Sequence, residues 1–157
     1  MIRKYKETDL NSIMKLWLET NISAHDFIDE RYWRSNYEQV RQMMPESAIY
    51  VYEDDSIKGF IGLSGNYIAG LFVEANSQSK GIGKALLDYI KGINNELVLH
   101  VYKKNERAVR FYMKEGFFIE GEQIDINTNE PELVMKWTNN RIAMKAHKTM
   151  RICTFFR

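Results

Sequence analysis

The 157-residue chain carries 22 Lys plus Arg and 21 Asp plus Glu, a formal net charge of +1, with 45% hydrophobic and 27% charged residues. These proportions are typical of one globular domain and argue against a disordered chain. No apolar run approaches the roughly twenty residues that span a bilayer, so no membrane partner is expected. Residues 1–137 hold 17 basic and 21 acidic residues, which gives no electrostatic reason to expect nucleic acid.

The single Cys153 cannot form an internal disulfide or a cysteine metal cluster, in agreement with a reducing compartment. The amino terminus lacks the apolar core of a signal peptide, so we expect cytoplasmic residence. The three histidines, His25, His100 and His147, show no ligand spacing, and no metal site is predicted.

The first half of the chain predicts a strand, two helices and three strands. A strand over residues 1–5 precedes one helix that Thr8 caps and that ends near residue 23. Apolar spacing predicts a second helix over residues 29–44, which Pro45 ends. Strands follow at 48–53, 59–64 and 67–73. The last of these is apolar on both faces, so it should lie centrally in a sheet.

The second half alternates helices and strands. The predicted elements are a helix over 82–93, a strand over 97–102, a helix from the cap Asn105 to about Lys114, and strands over 117–122 and 133–137. This order predicts one α/β domain over residues 1–137 with a mixed sheet between helices. Residues 138–157 hold five basic and no acidic residues, and we expect a basic tail or an extra packing helix there.

The segment QSKGIGK, residues 78–84, lies between the strand over 67–73 and the next helix and predicts an anion site. The first turn of a helix has backbone N–H groups without intrahelical partners, and the helix dipole favours negative charge there. Gly81 and Gly83 remove side chains that would keep an anion from these donors. Two glycines alone are equally consistent with a plain strand-to-helix turn.

Two other phosphate loops do not fit. The nucleotide-triphosphate loop needs a glycine where Gln78 stands and a Ser or Thr where Ala85 stands. The dinucleotide fingerprint needs a third glycine where Leu86 stands, directly after a strand, whereas residues 74–77 intervene here.

A second motif, N-x-x-A-x-x-F-Y-x-x-x-G-F over residues 105–117, follows the next strand. The two motifs and the order of elements resemble the GNAT superfamily of acyl-CoA-dependent N-acyltransferases, over about residues 1–137. The triplet His25-Asp26-Phe27 between the first two helices is similar to the YjaB-type bacterial acetyltransferases of that family. The resemblance implies a mixed, mostly antiparallel twisted sheet of about seven strands, flanked by about four helices.

The resemblance also implies acetyl-CoA as the acetyl donor. Backbone N–H groups of the loop over 78–84 would hold the pyrophosphate of acetyl-CoA. The strand over 67–73 would pair with the pantetheine arm as if the arm were an added strand. The implied cofactor contacts are Leu71, Phe72, Val73, Gln78, Ser79, Lys80, Gly81, Ile82, Gly83, Lys84, Asn105 and Phe111. The family commonly has a proline or Asp-Pro after the cofactor strand, where this chain has Glu74-Ala75.

Amine acetylation needs a neutral amine and a proton for the departing thiolate. Because a lysine-like amine has an ordinary pKa of about 10.4, a base helps; Glu74 is preferred and His25 is the alternative. Tyr112, with an ordinary phenol pKa of about 10, is the predicted general acid, and simple packing of its helix is the alternative. The family places the thioester oxygen at the N–H of Phe72 or Val73.

The acceptor site is harder to predict. His25, Phe27 and Trp33 are the predicted substrate contacts, although aromatic residues at helical spacing are more often core. We expect direct acetyl transfer from acetyl-CoA to a primary amine of a small molecule or a peptide. The competing hypothesis is a non-catalytic acyl-CoA sensor or interaction module on the same fold. The sequence does not decide between a monomer and a homodimer.

Overall fold

A computed structural model describes residues 1–139 of the chain. Within them, four α-helices flank one seven-stranded sheet, as the resemblance implied. The predicted basic tail or extra helix, 138–157, lies from residue 140 onward outside the described residues. No helix of residues 1–139 is long and apolar enough to cross a membrane.

Every predicted helix and strand is present, and the ends differ from the prediction by three residues at most. The strands are β1 (Ile2–Lys4), β2 (Ala48–Glu53), β3 (Ile57–Ser64), β4 (Tyr67–Val73), β5 (Glu96–Tyr102), β6 (Phe118–Asp125) and β7 (Glu130–Thr138). The helices are α1 (Leu10–Ala24), α2 (Glu30–Met43), α3 (Ile82–Lys91) and α4 (Glu106–Lys114). Short 3-10 turns connect some of them, at Glu7–Asp9, Met44–Glu46 and Ala75–Ser77.

The strand order across the sheet is β1-β2-β3-β4-β5-β7-β6. All neighbours are antiparallel except β4 and β5, which run parallel. β4 is fourth in the order of the seven strands, so the prediction that the strand over 67–73 lies centrally, made from its two apolar faces, is confirmed.

Two hydrophobic cores lie on opposite faces of the sheet. The α3/α4 core contains the fully buried Leu86 and Ile90, packed with strand residues such as Ile61. The α1/α2 core contains Ile13 of α1 and Phe60 of β3. It forms where α1 packs against β3 and β4. Burial of each such side chain contributes about 1.5–3 kcal/mol, so both helix pairs are held to the sheet mainly by apolar contact.

Thr8 does not cap α1, contrary to the prediction. The helix begins at Leu10 after a 3-10 turn, and the carboxylate of Asp9 accepts from the N–H of Lys6 at 2.8 Å. The Arg3 guanidinium donates to both oxygens of Asp9, at 2.8 and 2.9 Å, and this pairing holds the pKa of Asp9 below its usual range. A partly buried ion pair to β1 therefore fixes the start of α1, where the prediction had placed a hydroxyl cap.

β4 and β5 separate after only two residue pairs, Tyr67 with Val98 and Ile68 with Leu99. On the other edge of β4, the register with β3 shifts so that Ala69 is an extra residue. Such a bulge bends a strand and increases its twist, which turns β4 away from β5. We call the gap between residues 70–73 of β4 and 100–102 of β5 the strand fork, and the last pair its apex.

Candidate functional site

The backbone of β4 presents to the strand fork hydrogen-bonding groups that no neighbouring strand pairs, although the C=O of Val73 accepts from Nε2 of Gln78. The N–H of Glu74 donates to the C=O of Lys58 on β3, at 2.8 Å. Because successive residues of a strand turn these groups to alternate sides, the N–H and C=O of Leu71 and Val73 face the fork, whereas those of Phe72 face β3. An open edge of this kind can pair with an added extended chain.

The loop at the open end of the fork has the backbone geometry of an anion site. Ser79 and Gly81 have positive φ, 65° and 83°, on either side of Lys80, and Gly81 caps the N-terminus of α3. Turns of this type aim successive N–H groups into a concavity, and the helix dipole adds to the attraction. A Cβ on Gly83 would lie 3.5 Å from the Phe111 ring, an ordinary contact, so protein packing alone does not require that glycine.

A chain of hydrogen bonds ties α4 to this loop and to the end of β4. Arg107 donates from Nη1 to Oε1 of Gln78 at 2.8 Å and from Nη2 to Oγ of Ser79 at 3.1 Å. Gln78 in turn donates from Nε2 to the C=O of Val73 at 3.0 Å. Arg107 is not among the site residues predicted from the sequence. The available signal was a basic residue two positions after Asn105 in the second motif.

The side chains of the predicted cofactor contacts differ in what they can offer. Lys84 is paired with Asp88 at 3.0 Å and with Glu115 at 3.2 Å, and these hydrogen bonds raise its pKa. Ile82 is buried in the α3/α4 core, so only its backbone is available to a ligand. Lys80 is exposed and forms no salt bridge within residues 1–139. Lys80 is therefore the unpaired cation of the loop.

Tyr112 is buried in the α3/α4 core, against which the fork residues Leu71 and Val73 also pack. Its ring contacts Phe111 and Phe117 edge-on, with centroids 5.2 and 5.4 Å apart. Burial raises the pKa of the Tyr112 phenol above its ordinary value. The hydroxyl is therefore protonated at neutral pH, which suits a proton donor and excludes a base.

Glu74 lies at the loop end of the fork, half-buried, directly after β4. Its Oε1 accepts a long hydrogen bond from Oγ of Ser77, at 3.4 Å. The apex of the fork, at the Ile68–Leu99 pair, lies at the opposite end of β4. Glu74 is thus separated from the apex by most of the length of the strand.

His25, Phe27 and Trp33 come together in one aromatic cluster on the α1/α2 side of the sheet. His25 stacks on Trp33 with centroids 5.2 Å apart and meets Phe27 and Tyr102 edge-on at 5.7 and 5.1 Å. Trp33 is only 8% exposed and belongs to the α1/α2 core, so the stacked His25 ring packs directly on the core. Phe27 is half-buried, and the Lys104 ammonium lies 5.6 Å from its ring centre.

Asn105 connects this cluster to the cofactor side. Its Oδ1 accepts from the N–H of Ala108 at 3.3 Å, which caps α4, and its Nδ2 lies 3.3 Å from Nε2 of His25. The His25 ring therefore accepts at Nε2, and its proton resides on the buried Nδ1, which faces the backbone of Asn21. Burial lowers the pKa of His25 to about 4. His25 is neutral and its basic nitrogen is occupied, so the geometry disfavours the alternative of His25 as the base.

A second polar cluster lies at the apex of the fork. His100 directly follows Leu99, and Tyr67 meets its ring edge-on with centroids 5.2 Å apart. Nδ1 of His100 lies 3.6 Å from Oε1 of Glu132 and 3.5 Å from Nε2 of Gln123, which donates to Glu132 at 2.8 Å. The sequence analysis missed this grouping because its members come from four different strands.

A mixed sheet that forks between its two parallel strands, with a glycine-containing loop at the open end and a buried tyrosine on α4, is the architecture that the family resemblance implied. Residues 20–128 match the family model described as "Acetyltransferase (GNAT) domain", and the chain belongs to this family. It is an acetyltransferase of the GNAT type, as the sequence predicted.

Two named relatives support the YjaB-type resemblance. The chain is 35% identical over 140 residues to the peptidyl-lysine N-acetyltransferase YiaC of Escherichia coli K12, covering 87% of this chain and 96% of YiaC. It is 30% identical over 122 residues to the peptidyl-lysine N-acetyltransferase YjaB of the same strain, covering 76% of this chain and 83% of YjaB.

Two solved structures share the fold. The solution structure of apo-form YjaB from Escherichia coli has a TM-score of 0.78 at 28% identity, covering 87% of this chain and 96% of that one. YncA from Salmonella typhimurium, solved with its cofactor acetyl-CoA, has a TM-score of 0.61 at 14% identity, covering 88% of this chain and 92% of that one. The likeness to YncA shows the fold alone.

We expect His25 to stay neutral until the pH falls to about 4, whereas an unfolded histidine protonates at about pH 6.5. Between these values the unfolded state binds more protons at this position, so the free energy of unfolding falls as the pH falls. Urea unfolding should show a loss of about 1–2 kcal/mol between pH 7 and pH 5 that His25→Gln removes and His100→Gln retains. An imidazole resonance of His25 that titrates by NMR near pH 6.5 would contradict this.

Proposed function

We propose that this protein transfers the acetyl group of acetyl-CoA directly to the side-chain amine of lysine in a peptide or protein. The observation that carries the proposal is the strand fork, whose open edge at Leu71 and Val73 leads into an anion loop. YiaC and YjaB, both named peptidyl-lysine N-acetyltransferases, support lysine as the acceptor.

The described residues fit acetyl-CoA, which supplies the acetyl thioester. Backbone N–H groups over residues 79–84 would hold the pyrophosphate, with positive charge from Lys80 and Arg107 nearby. The fork-facing groups of Leu71 and Val73 would pair with the amides of the pantetheine arm. The C=O of Val73 retains a second lone pair beside the one that Gln78 occupies, so this pairing does not require the loop to open.

The order of these contacts sets the direction of the arm. Because the anion loop follows Val73, the phosphate end lies beyond Val73 and the thioester end lies toward Leu71 and the apex. The N–H of Leu71 is then the fork-facing donor nearest the thioester oxygen. The N–H of Phe72, one of the two donors that the family resemblance implied, turns to β3. The same direction places Glu74, the predicted base, at the phosphate end.

Tyr112 would donate the proton that the departing thiolate needs. Burial raises the pKa of the Tyr112 phenol further above the ordinary thiol pKa of about 8.5. Transfer of the phenol proton to a fully formed thiolate is therefore less favourable than it would be from an exposed tyrosine. We therefore place the transfer within the step that breaks the C–S bond. A fixed, protonated hydroxyl can then act as soon as charge develops on sulfur.

Tyr112→Phe should keep the ring packing and lower kcat by about 10- to 1000-fold, because only the proton donor is lost. Release of CoA thiol measures turnover, and calorimetry should show nearly unchanged affinity for acetyl-CoA. Tyr89→Phe, at a 41%-exposed tyrosine of α3, is the matched control and should behave as the wild type. Unchanged turnover in Tyr112→Phe would remove this residue from the mechanism.

Arg107→Ala should raise the Kd for acetyl-CoA by about 5- to 50-fold, since hydrogen bonds from a charged donor contribute about 1–2 kcal/mol or more to holding the loop. Arg110→Ala, one turn along the same exposed face of α4, removes an equal charge and should have little effect. Calorimetric titration of both variants checks this. An equal loss of affinity for acetyl-CoA in Arg107→Ala and Arg110→Ala would contradict a specific role of Arg107, because it would show an effect of net charge alone.

The acceptor class is tested with a panel of amines and the wild-type protein. An amino-terminally blocked lysine peptide should be acetylated at Nε, as fragmentation mass spectrometry reports, and its arginine counterpart should not react. Transfer confined to polyamines, amino acids or aminoglycosides would contradict a peptide acceptor. Binding of acetyl-CoA with no turnover on any amine would support the competing sensor hypothesis.

A further inference from the structure

The apex of the strand fork carries an imidazole on the face away from α3 and α4. Ile68 and Leu99 form the last pair between β4 and β5, and His100 is the next residue of β5. His100 is exposed, because its neighbours Leu99 and Val101 point into the α3/α4 core. Given the direction assigned to the pantetheine arm, His100 lies at the thioester end of the fork.

Residues of three neighbouring strands surround the ring of His100. Tyr67 of β4 packs edge-on against it, at an interplanar angle of 77°. Oε1 of Glu132 on β7 lies 3.6 Å from Nδ1, and Gln123 of β6 holds that carboxylate with a hydrogen bond of 2.8 Å. Nε2 of Gln123 also lies 3.5 Å from Nδ1 of His100, but its shorter hydrogen bond is the one to Glu132, so Nδ1 keeps its hydrogen toward that carboxylate and Nε2 is left to accept a proton.

Carboxylates, phenols and two lysines face this cluster, and each lysine is paired with a glutamate, Lys104 with Glu130 at 3.0 Å and Lys136 with Glu96 at 3.4 Å. Asp125 of β6 accepts from the hydroxyl of Tyr102, and the charge of Glu132 adds to the effect of burial in raising the pKa of Tyr67. Burial, followed by the charges of Asp125 and Glu132, raises the pKa of Tyr32 on α2. Within residues 1–139, neither Asp125 nor Glu132 forms a salt bridge with Lys or Arg. This surface therefore attracts a cationic acceptor such as a lysine ammonium.

We propose that His100 is the base that deprotonates the acceptor ammonium, with Glu132 and Tyr67 as positioning residues. The inference rests on the proposed lysine acetylation. Nε2 of His100 takes one proton from the –NH3⁺ group and releases it to solvent. The neutral amine forms the C–N bond as the C–S bond breaks. The second proton leaves nitrogen as the amide forms and returns through solvent to the Tyr112 oxygen, which has given its own proton to sulfur.

The other two base candidates are less well placed. Glu74 lies at the phosphate end of the fork, beside Ser77. The accepting nitrogen of His25 is occupied by Asn105, and its ring is packed on Trp33. His100 combines exposure, an orienting carboxylate and a place at the apex, which are the requirements for a general base.

His100→Gln should lower kcat/KM for a blocked lysine peptide by about 100-fold at pH 7. The deficit of the variant should shrink as the pH approaches about 10.4, the ordinary pKa of the amine, because the amine then loses its proton unaided. Glu132→Gln should lower kcat with KM nearly unchanged, because the ring of His100 loses the carboxylate that orients it.

Glu96→Gln is the matched control, since it removes a carboxylate from the same face of β5 at the far end of the strand. It should leave kcat and KM unchanged. Calorimetry with acetyl-CoA and thermal melting establish that each variant is folded and binds the donor, and His100→Asn serves as a second variant. A wild-type kcat/KM at pH 7 in folded His100→Gln or His100→Asn overturns the inference but not the proposed function. A wild-type protein that acetylates no lysine peptide overturns the proposed function itself.

Discussion

The rest of the structure depends on the separation of β4 from β5. A central strand normally pairs on both edges, because buried N–H and C=O groups are costly when unpaired. Here pairing stops after Ile68 and Leu99, and the extra residue Ala69 bends β4 away. The interior of the sheet is thereby opened to an extended ligand, whose own amides can replace the missing strand.

The sheet divides the chemistry between its two faces. The α3/α4 face holds the buried, protonated Tyr112, and the opposite face of β5 holds the exposed His100 beside Glu132. In the proposed reaction, one group donates a proton in a dry environment and the other passes a proton to water. Two titratable groups with such different surroundings can hold opposite roles at the same pH.

The aromatic cluster around His25 links the two sides. Its accepting nitrogen meets the amide of Asn105, the cap of α4, while the ring stacks on Trp33 in the α1/α2 core. The low pKa of His25 keeps this link uncharged across the neutral range. The segment between α1 and α2 is thus joined to the helix that carries Tyr112 and Arg107 by one neutral hydrogen bond and by ring packing.

The order of helices and strands, the central place of β4 and the turn at Gly81 that begins α3 were all determined by the sequence itself. Side-chain periodicity and glycine conformation are local properties, which neighbouring residues reveal. Only the tertiary structure decided that Asp9 binds Arg3 while Thr8 is left without a capping role, that the strand fork opens at Ala69, and that His100 meets Glu132. Each of these features depends on strand register or on partners that are distant in the chain. A local sequence pattern contains only one of the two partners, so it cannot predict the contact between them.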